Sequence, residues 1–203
     1  MVLNTLQRVI QRVYEIDLHH RVADFTTSDP AFAREYGSAH QPMEQLIFRE
    51  DGDDLDVSLY LDNRVVDALG RRDGAGSSMN MVCLAVEGVS HFVHFCWRSK
   101  YGVNVSLLEL EIQAEVDKYV LLTDLYGDEG MHRRLFEQFL LQRGMSRQLR
   151  ERYRSANRFA AKYCHRLERE FIRPGKTGEM LTELRRFCRK TQREKIQAIE
   201  QGL

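Results

Sequence analysis

The sequence predicts a mainly α-helical protein, a bundle of about five long helices with a small N-terminal portion that combines helices with a β-hairpin. Three observations lead to this prediction. Apolar residues recur at helical spacing through most of the chain after residue 79, and strand-forming residues are concentrated in two short segments between residues 46 and 61. The chain of 203 residues is 43% hydrophobic with only three prolines, which excludes a disordered chain and provides for a packed core.

Two short helices are predicted near the N-terminus. Asn4 followed by Gln7 is typical of a capping box, and the apolar residues that follow recur at helical spacing, so we expect a helix over about residues 4–15. Asp29 before Pro30 combines a helix cap with a proline in the first turn. This pair predicts a second, shorter helix.

A β-hairpin follows these helices. Residues 46–48 and 57–61 are rich in strand formers, and the Asp-Gly-Asp-Asp segment at 51–54 has the residues of a tight turn. The side chains that should face the core are Val57, Leu59 and Leu61.

A linker divides the chain into two predicted portions. After a helix over about residues 63–69, the segment 70–78 is rich in glycine and serine. We therefore assign residues 1–72 to the N-terminal portion and residues 78–203 to the helical bundle, with the first portion packed on the second.

The bundle is predicted from apolar periodicity and from the signals that begin and end helices. Ser106 followed by Glu109 has capping-box spacing, although alternation of apolar and polar residues over 108–116 leaves a strand as the alternative. Gly144 and the Pro174-Gly175 pair separate later helices. The predicted helices span about residues 79–100, 106–125, 131–143, 146–172 and 178–201.

The formal net charge of zero conceals two oppositely charged parts. Residues 1–130 contain 11 Lys and Arg against 22 Asp and Glu, whereas residues 131–203 contain 19 against 8. Either the two ends compensate each other, or the basic end binds an acidic partner. The first residues lack a signal-peptide pattern, and polar residues interrupt the longest apolar run, so we expect a cytoplasmic protein that does not bind a membrane.

Basic residues recur every four positions along the predicted helix over 146–172, on the side opposite its apolar face. The candidate partner-binding residues on this basic edge are Arg147, Arg150, Arg154, Arg158, Lys162 and Arg166. No recognised nucleic-acid-binding motif accompanies them. The leading hypothesis is a non-catalytic interaction or regulatory protein that uses this edge to bind an acidic protein or a nucleic acid.

The helix over 79–100 carries Glu87, His91 and His94 at offsets of four and three, which places all three on one side of an otherwise apolar helix. Burying them without partners would cost several kcal/mol, so a metal, opposing polar side chains or a water-lined cleft must face them. Glu111 and Glu115, four apart on the next helix, are candidates for a further ligand or general base.

The alternative hypothesis is therefore an enzyme that depends on a divalent transition metal bound by Glu87, His91 and His94. The spacing matches neither the Glu-x-x-His motif of di-iron bundles nor the histidine pair of zinc proteases. A hydrogen-bonded or ion-paired structural cluster would explain the same residues without a metal.

Overall fold

The computed structural model describes residues 2–38, 42–52, 54–70, 79–127, 130–138 and 144–202 of the chain. Most of these residues are helical, and a three-stranded sheet lies in the N-terminal part, so the mainly α fold with a small α/β portion is confirmed. The helices are α1 (Val2–Tyr14), α2 (Pro30–Tyr36), α3 (Asn63–Gly70), α4 (Met79–Lys100), α5 (Leu107–Tyr126), α6 (Arg147–Leu167), α7 (Thr177–Cys188) and α8 (Gln192–Gln201). The strands are β1 (Thr26–Thr27), β2 (Glu44–Asp51) and β3 (Asp54–Leu61).

The predicted hairpin is confirmed as β2 and β3, which pair antiparallel with Leu46 opposite Leu59. The short strand β1 adds to the other side of β3 in parallel, giving the strand order β1-β3-β2. Leu59 and Leu61 are fully buried in the main core, as predicted, and Val57 is half-buried against it. The opposite face of the sheet is covered as well, because Ile47 and Tyr60 pack with side chains of α2.

The hairpin lies very close to α4 because Gly88 has no side chain. A Cβ atom at this position would lie 2.9 Å from Leu59 Cδ1 and 3.0 Å from Glu44 Cγ, which is closer than packed carbon atoms normally approach. The lack of a side chain at Gly88 therefore allows Glu44, the first residue of β2, to lie against α4.

Polar side chains of α1 hold the segment that follows it, in place of the predicted capping box. The helix begins at Val2, so Asn4 and Gln7 lie inside it. Gln7 donates to the carbonyl of His20 at 2.6 Å and accepts from the backbone N–H of Val22 at 2.8 Å. The capping-box prediction is wrong because these side chains satisfy a tertiary contact rather than their own helix end.

The helix predicted from Ser106 is confirmed as α5, and the strand alternative for the same residues is wrong. Ser106 Oγ accepts from the backbone N–H of Glu109 at 3.0 Å, which is half of a capping box. The Glu109 side chain does not return to the cap. It accepts from the backbone N–H of Gln192 at 2.9 Å and thereby joins the start of α5 to the start of α8.

The single helix predicted over 178–201 is in fact two, α7 and α8, separated at residues 189–191. Thr191 caps α8 in a full capping box with Glu194, a Thr-x-x-Glu signal that is visible in the sequence. The break returns α8 toward the end of α7, where Lys195 Nζ donates to the carbonyl of Phe187 at 3.0 Å. A continuous helix could not make this contact.

A helix was also predicted over residues 131–143. Its first part is confirmed and includes the π-helical segment Arg133–Glu137, whereas residues 139–143 lie outside the described part of the chain. A second π-helical segment, Glu168–Ile172, extends α6 to the predicted end of the long helix. The predicted linker lies outside the described residues except for Gly70.

One main hydrophobic core includes residues from both predicted portions of the chain, from Leu3 in α1 to Ile199 in α8. The central helix of this core is α4. By length and composition α4 is apolar enough to cross a membrane, but most of it is buried inside the fold, which is also what the core helix of a globular protein shows.

Candidate metal centre

The three polar residues predicted to share one side of α4 are buried. Only 8% of Glu87, 6% of His91 and 3% of His94 is exposed, so the expected burial is confirmed. The helical period places them on one side, but the neighbouring elements divide them between two groups. Glu87 and His91 belong to one group and His94 to the other.

In the first group, Glu111 of α5 approaches Glu87 and His91 of α4. One potential ligand atom from each of the three lies within 4.8 Å of the other two. We refer to these three residues as the Glu–His–Glu cluster. A carboxylate pair and an imidazole at this separation have the composition of a binding site for a divalent transition metal.

The two nitrogens of His91 have different surroundings. Nδ1 lies 3.2 Å from Glu44 Oε1, at hydrogen-bonding distance. Nε2 lies 3.5 Å from Glu111 Oε2, too far for a good hydrogen bond, and it has no hydrogen-bond partner among the described residues. Metal-binding histidines commonly place one nitrogen on a carboxylate and the other on the metal, and His91 has this arrangement of partners.

Basic side chains neutralise much of the surrounding negative charge. Lys118 Nζ lies 2.8 Å from Glu87 Oε2 and 2.9 Å from Glu115 Oε1, in pairs that are almost fully buried. Arg152 of α6 approaches the other side, with Nε 3.4 Å from Glu111 Oε1. Glu115 therefore pairs with a lysine, and it is not a member of the Glu–His–Glu cluster.

The pKa values of these groups follow from burial and mutual charge. Burial alone would lower the pKa of His91, but the carboxylates of Glu44 and Glu111 raise it well above its ordinary value. Burial raises the pKa of Glu44 to about 6, against the opposing effect of His91. Lys118 is held charged because Glu115 and Glu87 raise its pKa well above the ordinary value despite burial.

A cleft of about 630 Å³ reaches this group from the surface. Its walls come from the start of β2, the start of α5 and the first turns of α6. Four charged side chains that line it are Glu44, His91, Glu111 and Arg152. Its apolar lining includes Leu46, Phe48, Leu107, Leu110 and Leu149. A metal bound to His91 and Glu111 would therefore have free coordination positions facing a space of ligand size.

The second group is an interior hydrogen-bond network centred on Asp117, which is fully buried. Its carboxylate accepts from Ser90 Oγ at 2.6 Å and from Gln113 Nε2 at 2.9 Å, and it also bonds the Tyr14 hydroxyl. His94 Nε2 lies 3.0 Å from the same carboxylate. The structure thus gives His94 a hydrogen-bonded partner of its own, away from the Glu–His–Glu cluster.

Sequence reasoning missed Glu44, Lys118, Asp117 and Arg152. A signal for Lys118 was available, because Glu111, Glu115 and Lys118 repeat the four-and-three spacing seen on α4. No local pattern indicates Glu44, since it reaches His91 across 47 residues of chain.

The basic edge of α6 is partly neutralised within the C-terminal part. Arg147 pairs with Glu151, Lys162 with Glu200 and Arg166 with Glu183. The three that stay exposed, without an ion pair to any described residue, are Arg150, Arg154 and Arg158. Few ion pairs in the described chain join the acidic and basic parts, Arg152 with Glu111 and Arg185 with Glu15 being the examples.

Comparison of the chain with protein-family models, curated proteins and solved structures finds no match.

Proposed function

We propose that this chain is a metal-dependent enzyme that binds a divalent transition metal through Glu87, His91 and Glu111. The observation that carries the proposal is the environment of His91. Its Nδ1 faces the Glu44 carboxylate, whereas its buried Nε2 has no hydrogen-bond partner in the described part of the chain and lies beside Glu111. This nitrogen has an ion pair with Glu111 but no hydrogen bond of good geometry, and a metal at this position would bond it.

The donor set and the cleft support a catalytic use of that metal. One nitrogen and two carboxylate oxygens leave positions free for water or substrate, in contrast to the four protein ligands of a structural zinc site. When bound there, the metal would act as a Lewis acid toward a group in the cleft. Glu44 would orient His91, and the cleft walls would hold the apolar part of a substrate.

The test compares the two buried histidines of α4. Wild-type protein, His91→Gln and His94→Gln are each purified without chelator and titrated with Co²⁺ at about pH 8, since metal binding displaces the imidazole proton and is favoured by a higher pH. We expect bound Co²⁺ in the wild type and in His94→Gln, and its loss in His91→Gln. Circular dichroism shows whether each variant is folded.

His94→Gln is the matched control because it replaces an equally buried histidine whose partner is Asp117. It should lower stability without removing the metal. Absence of bound metal in folded wild-type protein would overturn the proposal. Metal retained by folded His91→Gln would also exclude His91 as a ligand.

A second candidate function is electrostatic binding of an acidic protein or a nucleic acid by the basic edge of α6. It is favoured by Arg150, Arg154 and Arg158, which are exposed on successive helical turns and have no ion pair with any residue that the structure describes. Replacing all three with Gln should weaken binding to mixed-sequence DNA and reduce its salt dependence by roughly one unit of slope for each phosphate that the protein no longer neutralises.

The matched control for this experiment removes the same charge elsewhere, through Arg8, Arg12 and Arg34, which are exposed on α1 and α2. Equal decreases in affinity for the two triple variants would indicate a general charge effect. Poly-glutamate in place of DNA tests for an acidic protein partner. Unchanged affinity and salt slope for both polyanions would remove this surface from consideration.

A further inference from the structure

Lys118 lies between two carboxylates beside the Glu–His–Glu cluster. Its Nζ is 2.8 Å from Glu87 Oε2 and 2.9 Å from Glu115 Oε1. The side chains of Lys118, Glu87 and Glu115 are 9%, 11% and 6% exposed, so water screens these pairs little. The ammonium group is thus fixed between two carboxylate oxygens, where a cation of another kind would otherwise find ligands.

The charges around the cluster determine how many metal ions it can hold. Four carboxylates, from Glu44, Glu87, Glu111 and Glu115, surround it together with the basic groups of His91, Lys118 and Arg152. One divalent ion together with Lys118 and Arg152 would balance the four carboxylates. A second divalent ion would leave two buried positive charges in excess with Lys118 present but one without it, so the ammonium makes a second ion less favourable in this low-dielectric environment.

We propose that the Lys118 ammonium is a built-in second cation that limits this centre to one metal ion. Glu87 contacts Lys118 through Oε2 and would offer its other oxygen to the metal. Glu115 is then a partner of Lys118 rather than a metal ligand. This inference rests on the proposed function, because it specifies the stoichiometry of the same site.

The test removes the Lys118 ammonium, first alone and then together with the Glu115 carboxylate. Lys118→Ala removes the cation and leaves Glu115 available, and it should raise bound Co²⁺ from one to two ions per chain. The double variant Lys118→Met/Glu115→Gln removes the ammonium together with its second carboxylate, so it should bind one ion as the wild type does. Each stoichiometry is measured by elemental analysis after gel filtration and by Co²⁺ absorption.

The outcomes separate this inference from the proposed function. One ion per chain in both wild type and folded Lys118→Ala would overturn the inference and leave the metal site in place, and two ions in the wild type would overturn it as well. Wild-type protein without metal would overturn both. If Lys118→Ala does not fold, Lys118→Asn takes its place, since its amide can donate to a neighbouring carboxylate and leaves room for an ion. The same rise to two ions is then expected.

Discussion

Replacing Asp117 with asparagine tests how far the stability of the fold depends on the polar network behind the metal centre. Asp117 is fully buried and accepts hydrogen bonds from Tyr14, Ser90 and Gln113, with His94 also at hydrogen-bonding distance. An asparagine amide keeps one acceptor oxygen and presents an NH₂ group where the carboxylate faces donors. Two of these hydrogen bonds can therefore no longer be donated to a carboxylate oxygen of this side chain.

The expected cost follows from that count. A hydrogen bond to a charged group contributes about 1.5–3 kcal/mol, so the removal of two lowers the free energy of unfolding by about 3–6 kcal/mol. In a protein of 203 residues each kcal/mol shifts the unfolding temperature by roughly 2–4 °C. Asp117→Asn should therefore unfold roughly 6–24 °C below the wild type.

The deficit should also depend on pH. Burial alone would raise the pKa of Asp117, but His94 and the hydrogen bonds from Ser90 and Tyr14 lower it below its ordinary value. A carboxyl group with a lowered folded-state pKa contributes stability above its unfolded pKa and loses it as the pH falls through the folded value. The difference from wild type should thus be full at neutral pH and shrink below about pH 4.

Differential scanning calorimetry of wild type, Asp117→Asn and Asp124→Asn at several pH values measures these quantities. Asp124 is an exposed aspartate two turns later on α5, and its replacement should change stability by less than about 0.5 kcal/mol. If Asp117→Asn melts within about 2 °C of the wild type at neutral pH, the network does not carry the stability assigned to it.

Three further predictions concern other parts of the fold. Gly88→Ala should cost roughly 0–2 kcal/mol in urea unfolding, because overpacking by a Cβ 2.9 Å from Leu59 Cδ1 and 3.0 Å from Glu44 Cγ costs about 1–3 kcal/mol and helix propensity returns about 1 kcal/mol. A variant about 1 kcal/mol more stable than the wild type would contradict the close packing of the hairpin on α4. Burial lowers the pKa of Lys195 from 10.5 to about 8. Between these pH values the unfolded chain binds more protons at this residue than the folded chain does, so the contribution of Lys195 to the free energy of unfolding rises with pH. Thermal melts at about pH 7 and pH 10 should show the wild type gaining on Lys195→Met, and a constant difference would refute this assignment. Thr191→Ala should cost about 0.5–2 kcal/mol in chemical denaturation through loss of the capping box of α8, and a cost near zero would mean that other contacts fix this helix start.

The sequence by itself determined the features that depend on local chemistry. The helical period predicted that Glu87, His91 and His94 share one side of α4, since side chains three and four apart lie on the same face. Turn residues at 51–54 predicted the hairpin, and the Asp29-Pro30 pair predicted α2, whose first turn is capped by Asp29. Each signal acts within a few residues, so it can be detected without knowledge of the rest of the fold.

Only the tertiary structure decided which of these residues meet. The close approach of β2 to α4 at Gly88 places Glu44 beside His91. The packing of α5 on α4 places Glu111 in the Glu–His–Glu cluster and Asp117 beside His94. Helical periodicity fixes the direction of a side chain around its own helix but not the rotation or height of the neighbouring helix. The partners that separate a candidate metal ligand from a structural histidine therefore depend on packing between elements distant in sequence, which no local pattern contains.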